Sequence, residues 1–117
     1  MATIKSYTDL QQSKKLAKIL PIESADMIWD LTIPDLPTIR AIPYEDSDYN
    51  NKYLNIIAAW SLTALLSVLP NGIVMNKDSQ NGRYHFSSTH AGTYVTTDNP
   101  IDACYELILK LHELNLL

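Results

Sequence analysis

The sequence predicts an α+β domain in which three helices pack on one face of a small antiparallel sheet of three to five strands. Three segments carry apolar residues at helical intervals, and prolines break the chain between the first and the second. Three short runs of strand type, separated by turns, lie between the second and third helices and predict a β-meander. A chain of 117 residues has the commonest size of one domain, so we expect a single domain over 1–117.

The first helix is predicted to begin after Thr8, because Gln11 follows at the spacing of a capping box. Leu16 and Leu20 then share an apolar face, and Gln12 is expected in water with the lysines. Pro21 ends the helix, since the residue before a proline is pushed out of helical geometry.

The proline-containing segment that follows predicts two short strands, Met27–Ile33 and Thr38–Tyr44. Its prolines indicate that the first of them is an edge strand. The polar run Glu45–Lys52 is expected to be an exposed loop.

Leucine and alanine dominate Ile56–Leu69, which predicts a central helix that is buried on several sides and stopped at Pro70. The last helix has the clearest signals, with Asn99 as cap, Pro100 in the first position and Asp102 in the first turn. The meander between these helices is predicted from three runs and one hairpin loop: Ile73–Lys77, the loop Asp78–Gly82, Arg83–Ser88 and Thr93–Thr97.

Residues that carry chemistry are few and scattered, so we expect no enzyme, no cofactor and no metal. His85 and His90 flank one turn and with Asp98 offer the strongest metal candidate, but solvent-facing strand residues explain them more simply. Cys104, the one cysteine, lies in the apolar stripe of the last helix, where burial raises the thiol pKa. A pocket near His85, His90 and Cys104 is the feature that a small-ligand binder or an enzyme would need.

The net charge of −4 is concentrated in one part of the chain. Seven acids and a single base, Arg40, lie between Glu23 and Asp48. Nucleic-acid binding needs a positive surface, and the four lysines near the start of the chain are too few, so no nucleic-acid partner is expected. The longest apolar stretch is too short to span a bilayer and the first residues lack a signal-peptide core, which favours a cytoplasmic protein without a membrane partner.

Aromatic residues interleave with these acids, as in many protein-recognition surfaces. Trp29 is more simply explained by packing in the core. The candidate partner-binding residues lie further along the acidic segment and are Tyr44, Asp46, Asp48, Tyr49 and Tyr53.

Three blocks of the sequence, Ile4–Met27 (IKSYTDLQQSKKLAKILPIESADM), Trp60–Pro70 (WSLTALLSVLP) and Asn99–Leu117 (NPIDACYELILKLHELNLL), coincide with the predicted helices. Together they resemble a family of short proteins of gut Bacteroidales whose genes often lie in prophage or other mobile regions. The resemblance implies no activity, ligand or site residue, because that family has no known function. It suggests a helical scaffold that presents variable strands and loops, where recognition usually resides.

These observations favour a non-enzymatic, inhibitor-like interaction protein whose acidic, tyrosine-bearing segment binds a basic partner protein. A self-associating subunit joined by a sheet edge or an apolar helix face is the second hypothesis. A small-ligand binder or enzyme with a pocket between helices and sheet is the third.

Overall fold

The computed structural model describes residues 5–33, 35–41 and 56–117, and its described elements are helices and antiparallel strands. The α+β class is therefore confirmed. In chain order the elements are α1 (Leu10–Leu16), a 3₁₀ turn (Ile22–Ser24), β1 (Met27–Asp30), β2 (Thr38–Ala41), β3 (Ile56–Ala59), α2 (Leu62–Val68), β4 (Ile73–Lys77), β5 (Tyr84–Ser88), β6 (Thr93–Thr97) and α3 (Pro100–Glu113).

The described strands form two three-stranded sheets, where the sequence predicted one. The first sheet has the order β2-β1-β3, and the second is the predicted meander, β4-β5-β6. The prediction that β1 is an edge strand is wrong, because β1 pairs with β2 on one side and with β3 on the other. The prolines that suggested an edge lie in the β1–β2 connection and do not interrupt the ladder.

The predicted central helix Ile56–Leu69 is wrong in its first half, where Ile56–Ala59 forms β3. Two adjacent β-branched residues favour a strand there. The helix begins only after Ser61, whose side chain accepts a hydrogen bond from the Ala64 amide and so caps the first turn.

The first helix begins one residue later than predicted. Asp9 is its cap, and a capping box joins Asp9 to Gln12. The Thr8 hydroxyl is used elsewhere: it accepts a hydrogen bond from the Trp60 amide (3.1 Å) and bonds to the Ser13 hydroxyl (2.7 Å). Gln12 is also not in water as expected, since it is only 9 % exposed and bonds across to α3.

One apolar cluster joins the helices to both sheets, with members such as Leu16 of α1, Ala58 of β3, Phe86 of β5 and Ile108 of α3. Its largest member is Trp60, which is fully buried and whose indole N–H donates to the Ser24 hydroxyl over 2.9 Å. Burial of a tryptophan of this kind stabilises a fold by roughly 3–5 kcal/mol relative to alanine. The helices pack on different elements, α1 on β3, α2 on α3, and α3 on β5 and β6.

The N-terminal ends of α1 and α3 are joined by a polar cluster around Asp102. Its Oδ1 accepts hydrogen bonds from Lys5 Nζ and from Gln12 Nε2, each over 2.7 Å, and its Oδ2 accepts one from the Asn99 side chain, also over 2.7 Å. Burial opposes ionisation of Asp102, but these donors outweigh it and lower the pKa of Asp102. Burial likewise opposes the charge of Lys5, and the carboxylates of Asp102 and Asp9 nevertheless raise the pKa of Lys5.

Candidate protein-interaction surface

The described part of the acidic segment folds into a β-hairpin made of β1 and β2. Trp29 lies opposite Ile39, and Asp30 opposite Thr38, at the end next to the connection. The connection, which we call the hairpin tip (residues 31–33 and 35–37), exposes Ile33 and Leu36, each with 60 % of its surface in water. The two side chains lie three residues apart on one short connection, where the Leu36 amide donates to the Ile33 carbonyl over 3.0 Å, so they form the apolar part of this surface.

Asp30 organises the base of the hairpin tip. Its Oδ1 accepts hydrogen bonds from the Thr32 amide (2.9 Å) and the Thr32 hydroxyl (2.6 Å), which is the pattern of an Asx turn. Its Oδ2 accepts one from the Arg40 guanidinium across the ladder over 2.8 Å. The Thr32 bonds, together with Arg40, lower the pKa of Asp30, so the carboxylate stays ionised at neutral pH.

Trp29 anchors the hairpin to the rest of the molecule, but it is half-buried and lies outside the core cluster, so the interpretation that it packs in the core is wrong; the buried residue of β1 is its neighbour Ile28. The Trp29 indole N–H donates to the Thr8 carbonyl over 3.1 Å, and its ring lies edge-on to Tyr7 with 5.8 Å between the ring centroids. The strand below the hairpin tip is therefore held from the side of α1 as well as by both neighbouring strands.

The five predicted partner-binding residues, Tyr44, Asp46, Asp48, Tyr49 and Tyr53, lie outside the described residues. The prediction concerning them therefore stays a prediction. Sequence reasoning missed Ile33 and Leu36. The available signal was their place beside prolines, since Ile33 precedes Pro34 and Leu36 lies between Pro34 and Pro37, which disfavours strand pairing that would bury them.

The second sheet brings one histidine together with polar partners, although not those expected. His85 Nδ1 lies 2.8 Å from the Thr96 hydroxyl, and His85 Nε2 lies 3.6 Å from Asp78 Oδ2. The order hydroxyl, imidazole, carboxylate has the form of a catalytic relay. However, Asp78 Oδ1 accepts the amides of Gln80 and Asn81 and so fixes the hairpin loop. We interpret the contacts of His85 and Asp78 as stabilising the β4–β5 hairpin.

The structure places His85, His90 and Cys104, near which a ligand pocket was considered, in three different environments. Cys104 is fully buried in the core, and burial raises the pKa of its thiol to about 12, as the sequence predicted in direction. His85 follows Tyr84 and precedes the buried Phe86, so its side chain leaves the sheet on the face opposite the core. His90 is exposed and lies against Gly72.

No group of three or more His, Cys, Asp or Glu residues with the geometry to hold a metal ion occurs within 5–33, 35–41 and 56–117. In the same part of the chain, no helix has the length and apolar character needed to cross a membrane.

Comparison of the chain with protein-family models, with curated proteins and with solved structures gives no significant match. The resemblance of the three helical blocks to short Bacteroidales proteins therefore stays a prediction, and the function must be argued from the surface itself.

Proposed function

We propose that this protein is a non-enzymatic interaction protein of the cytoplasm that binds a basic partner protein through the β1–β2 hairpin and the acidic segment that continues from it. The observation that carries the proposal is the exposure of Ile33 and Leu36 at the hairpin tip, with Asp35 between them in the sequence. An apolar centre with acidic neighbours is the arrangement expected where a partner supplies apolar contacts and positive charge.

The hairpin is held in place before any partner arrives. Its central strand is bonded on both sides, Trp29 is tied to Thr8, and the turn is fixed by Asp30. Binding through a preorganised segment loses less conformational entropy than binding through a loop that must first be ordered. This preorganisation supports a role for the hairpin in recognition.

The charge of this surface indicates which kind of partner it would bind. The described residues 21–33 and 35–41 contain four acids, Glu23, Asp26, Asp30 and Asp35, against the single base Arg40. Asp30 is paired with Arg40, and Asp26 bonds to Ser61 at the start of α2, whereas the Glu23 and Asp35 residues are exposed. Together with the acids at 45, 46 and 48, this surplus favours a basic partner, whose association would be fast and weakened by salt.

The test is affinity capture from a lysate of the source organism, performed at low and at high salt with three baits. The wild type is compared with Ile33→Ser/Leu36→Ser, which removes the apolar centre, and with Val74→Ser as matched control, because Val74 is 52 % exposed on the other sheet. Since all three positions lie at the surface, we expect each bait to fold, and circular dichroism checks this.

The proposal expects a basic protein that is captured by the wild type and the Val74 variant at low salt, released at high salt, and lost from the double variant. Loss of two exposed apolar contacts at an interface centre corresponds to about a tenfold to hundredfold weaker affinity. A partner that binds the double variant as tightly as the wild type, or one whose binding is indifferent to salt, would refute the proposal.

A further inference from the structure

Strand β4 is an edge of the second sheet and is exposed on both of its faces. Among the described residues it pairs only with β5, and Val74 and Met75, whose side chains leave the strand on opposite faces, are each 52 % exposed. An open, partly apolar edge strand is a template for pairing with another strand.

The backbone of β4 alternates between groups that bond to β5 and groups that point away. Gly72 at one end accepts from Thr89, and Asp78 at the other end donates to Arg83, so both face β5. Because the direction alternates along an antiparallel strand, Val74 and Asn76 also bond to β5. The amides and carbonyls of Ile73, Met75 and Lys77 point outward, and they have no hydrogen-bond partner among the described residues.

At the opposite edge of the same sheet, one outward carbonyl of β6 is already occupied. Lys110 of α3 reaches over β6 and donates its ammonium to the Tyr94 carbonyl over 3.0 Å. A lysine placed over an edge in this way blocks pairing with a further strand. Beside β4 lies an open groove of about 250 Å³, whose lining includes Leu66, Leu69 and Pro70 as well as Asn71 and Gly72.

We propose that β4 pairs antiparallel with β4 of a second copy of this chain, forming a continuous six-stranded sheet around a twofold axis at Met75. In this register Met75 faces Met75 of the second copy, and Ile73 faces Lys77 in both directions. The three outward residues of each copy then pair with one another, and the three pairs exchange about six hydrogen bonds. No outward backbone group of Ile73, Met75 or Lys77 is left unpaired.

The side chains agree with this register. Lys77, the only charged residue of β4, falls opposite Ile73, so no like charges face each other directly. Ile73, Met75 and Lys77 share one face of β4, so on the groove side the two Met75 side chains meet at the centre and an Ile73–Lys77 pair lies at each end. Five residues of edge bury less than the roughly 1,200 Å² typical of stable interfaces, so the dimer is reversible and forms with increasing concentration. The inference uses the second sheet alone and does not depend on the proposed function.

The test is sedimentation velocity of the purified chain from micromolar to millimolar concentration, with three variants. Met75→Pro removes an amide that bonds to nothing within the described chain, and Met75→Lys places two ammonium groups opposite each other. Tyr94→Lys is the matched control, because it adds the same charge at the protected edge. We expect a dimer for the wild type and for the control, with a dissociation constant about tenfold or more higher in both Met75 variants.

Amide hydrogen exchange by NMR supplies a second readout that does not rely on the variants. With rising concentration the amides of Ile73, Met75 and Lys77 are expected to gain protection, while those of Val74 and Asn76, already bonded to β5, change little. A chain that stays monomeric throughout the concentration range overturns the inference. A dimer that persists unchanged in both Met75 variants also overturns it. So does a dimer whose formation protects the amides of Ile73, Met75 and Lys77 no more than those of Val74 and Asn76.

Discussion

Asp102 joins the N-terminal ends of two helices, and its replacement tests how far that joint stabilises the fold. In Asp102→Asn the side chain keeps its shape but loses its negative charge and one of the two oxygens that accept hydrogen bonds from Lys5, Gln12 and Asn99. A hydrogen bond to a charged group contributes about 1.5–3 kcal/mol when buried, and an acid in the first turn adds about 0.3–1 kcal/mol through the helix dipole. Since the side chain is 33 % exposed, solvent screening reduces these values, and we expect a net loss of about 2 kcal/mol.

The assay is urea unfolding of the wild type and the variant at neutral pH, followed by the same comparison at decreasing pH. The folded-state pKa of Asp102 lies below its ordinary value of 3.8. Its contribution is therefore complete above pH 3.8 and is lost as the pH falls through the lower folded-state pKa. The difference in unfolding free energy between the two proteins should shrink over that range.

The matched control is Asp98→Asn, which removes a charge four residues earlier in the chain. Asp98 is 72 % exposed and lies 3.3 Å from Arg83, so its loss should change the unfolding free energy by less than about 0.5 kcal/mol. A similar cost for both variants, or a cost for Asp102→Asn that does not depend on pH, would contradict the reasoning.

Three further predictions concern the backbone and the core. Gly72→Ala should destabilise by about 1–3 kcal/mol in thermal unfolding, and by more than Gly92→Ala. Both glycines have positive φ, but only at Gly72 would the new Cβ meet other atoms, 2.8 Å from His90 Cδ2. Cys104 should react with a thiol reagent only as fast as the protein unfolds, because the thiol is fully buried; fast labelling of the native protein would disprove this. Trp60→Phe should lower the unfolding free energy by about 1–3 kcal/mol, since it opens a cavity in a fully buried site; an unchanged urea midpoint would count against it.

The parts of the fold that were predictable from sequence are those in which local signals and tertiary packing agree. The last helix carries a cap, a proline in its first turn, an acid and an apolar stripe, and it forms as Pro100–Glu113. The meander was predicted for a similar reason, since the turn glycines and the alternation around Phe86 point to the same three strands.

The errors lie where two local signals compete and tertiary pairing decides between them. Ile56–Ala59 adjoins a helix of leucine and alanine, and only its pairing with β1 makes it a strand. Thr8 and Asp9 both have side chains that can cap a helix, and the Trp60 amide decides the choice by engaging the Thr8 hydroxyl. Contacts between residues roughly thirty to fifty positions apart in the chain are not encoded in any local window.

The candidate surface was predictable in its charge and only partly in its residues. The acidic surplus is visible in the sequence, whereas the exposure of Ile33 and Leu36 depends on where the ladder of β1 and β2 stops. Apolar residues are expected inside a protein by default, so sequence reasoning placed Ile33 in a strand and gave Leu36 no role.

The most direct test of the proposed function is hydrogen–deuterium exchange of the protein alone and in complex with its captured basic partner. The proposal predicts slower exchange over residues 31–41 on binding, reduced at high salt, with little change in β5 and β6. Protection confined to the second sheet or to the helices, with none over residues 31–41, would contradict it.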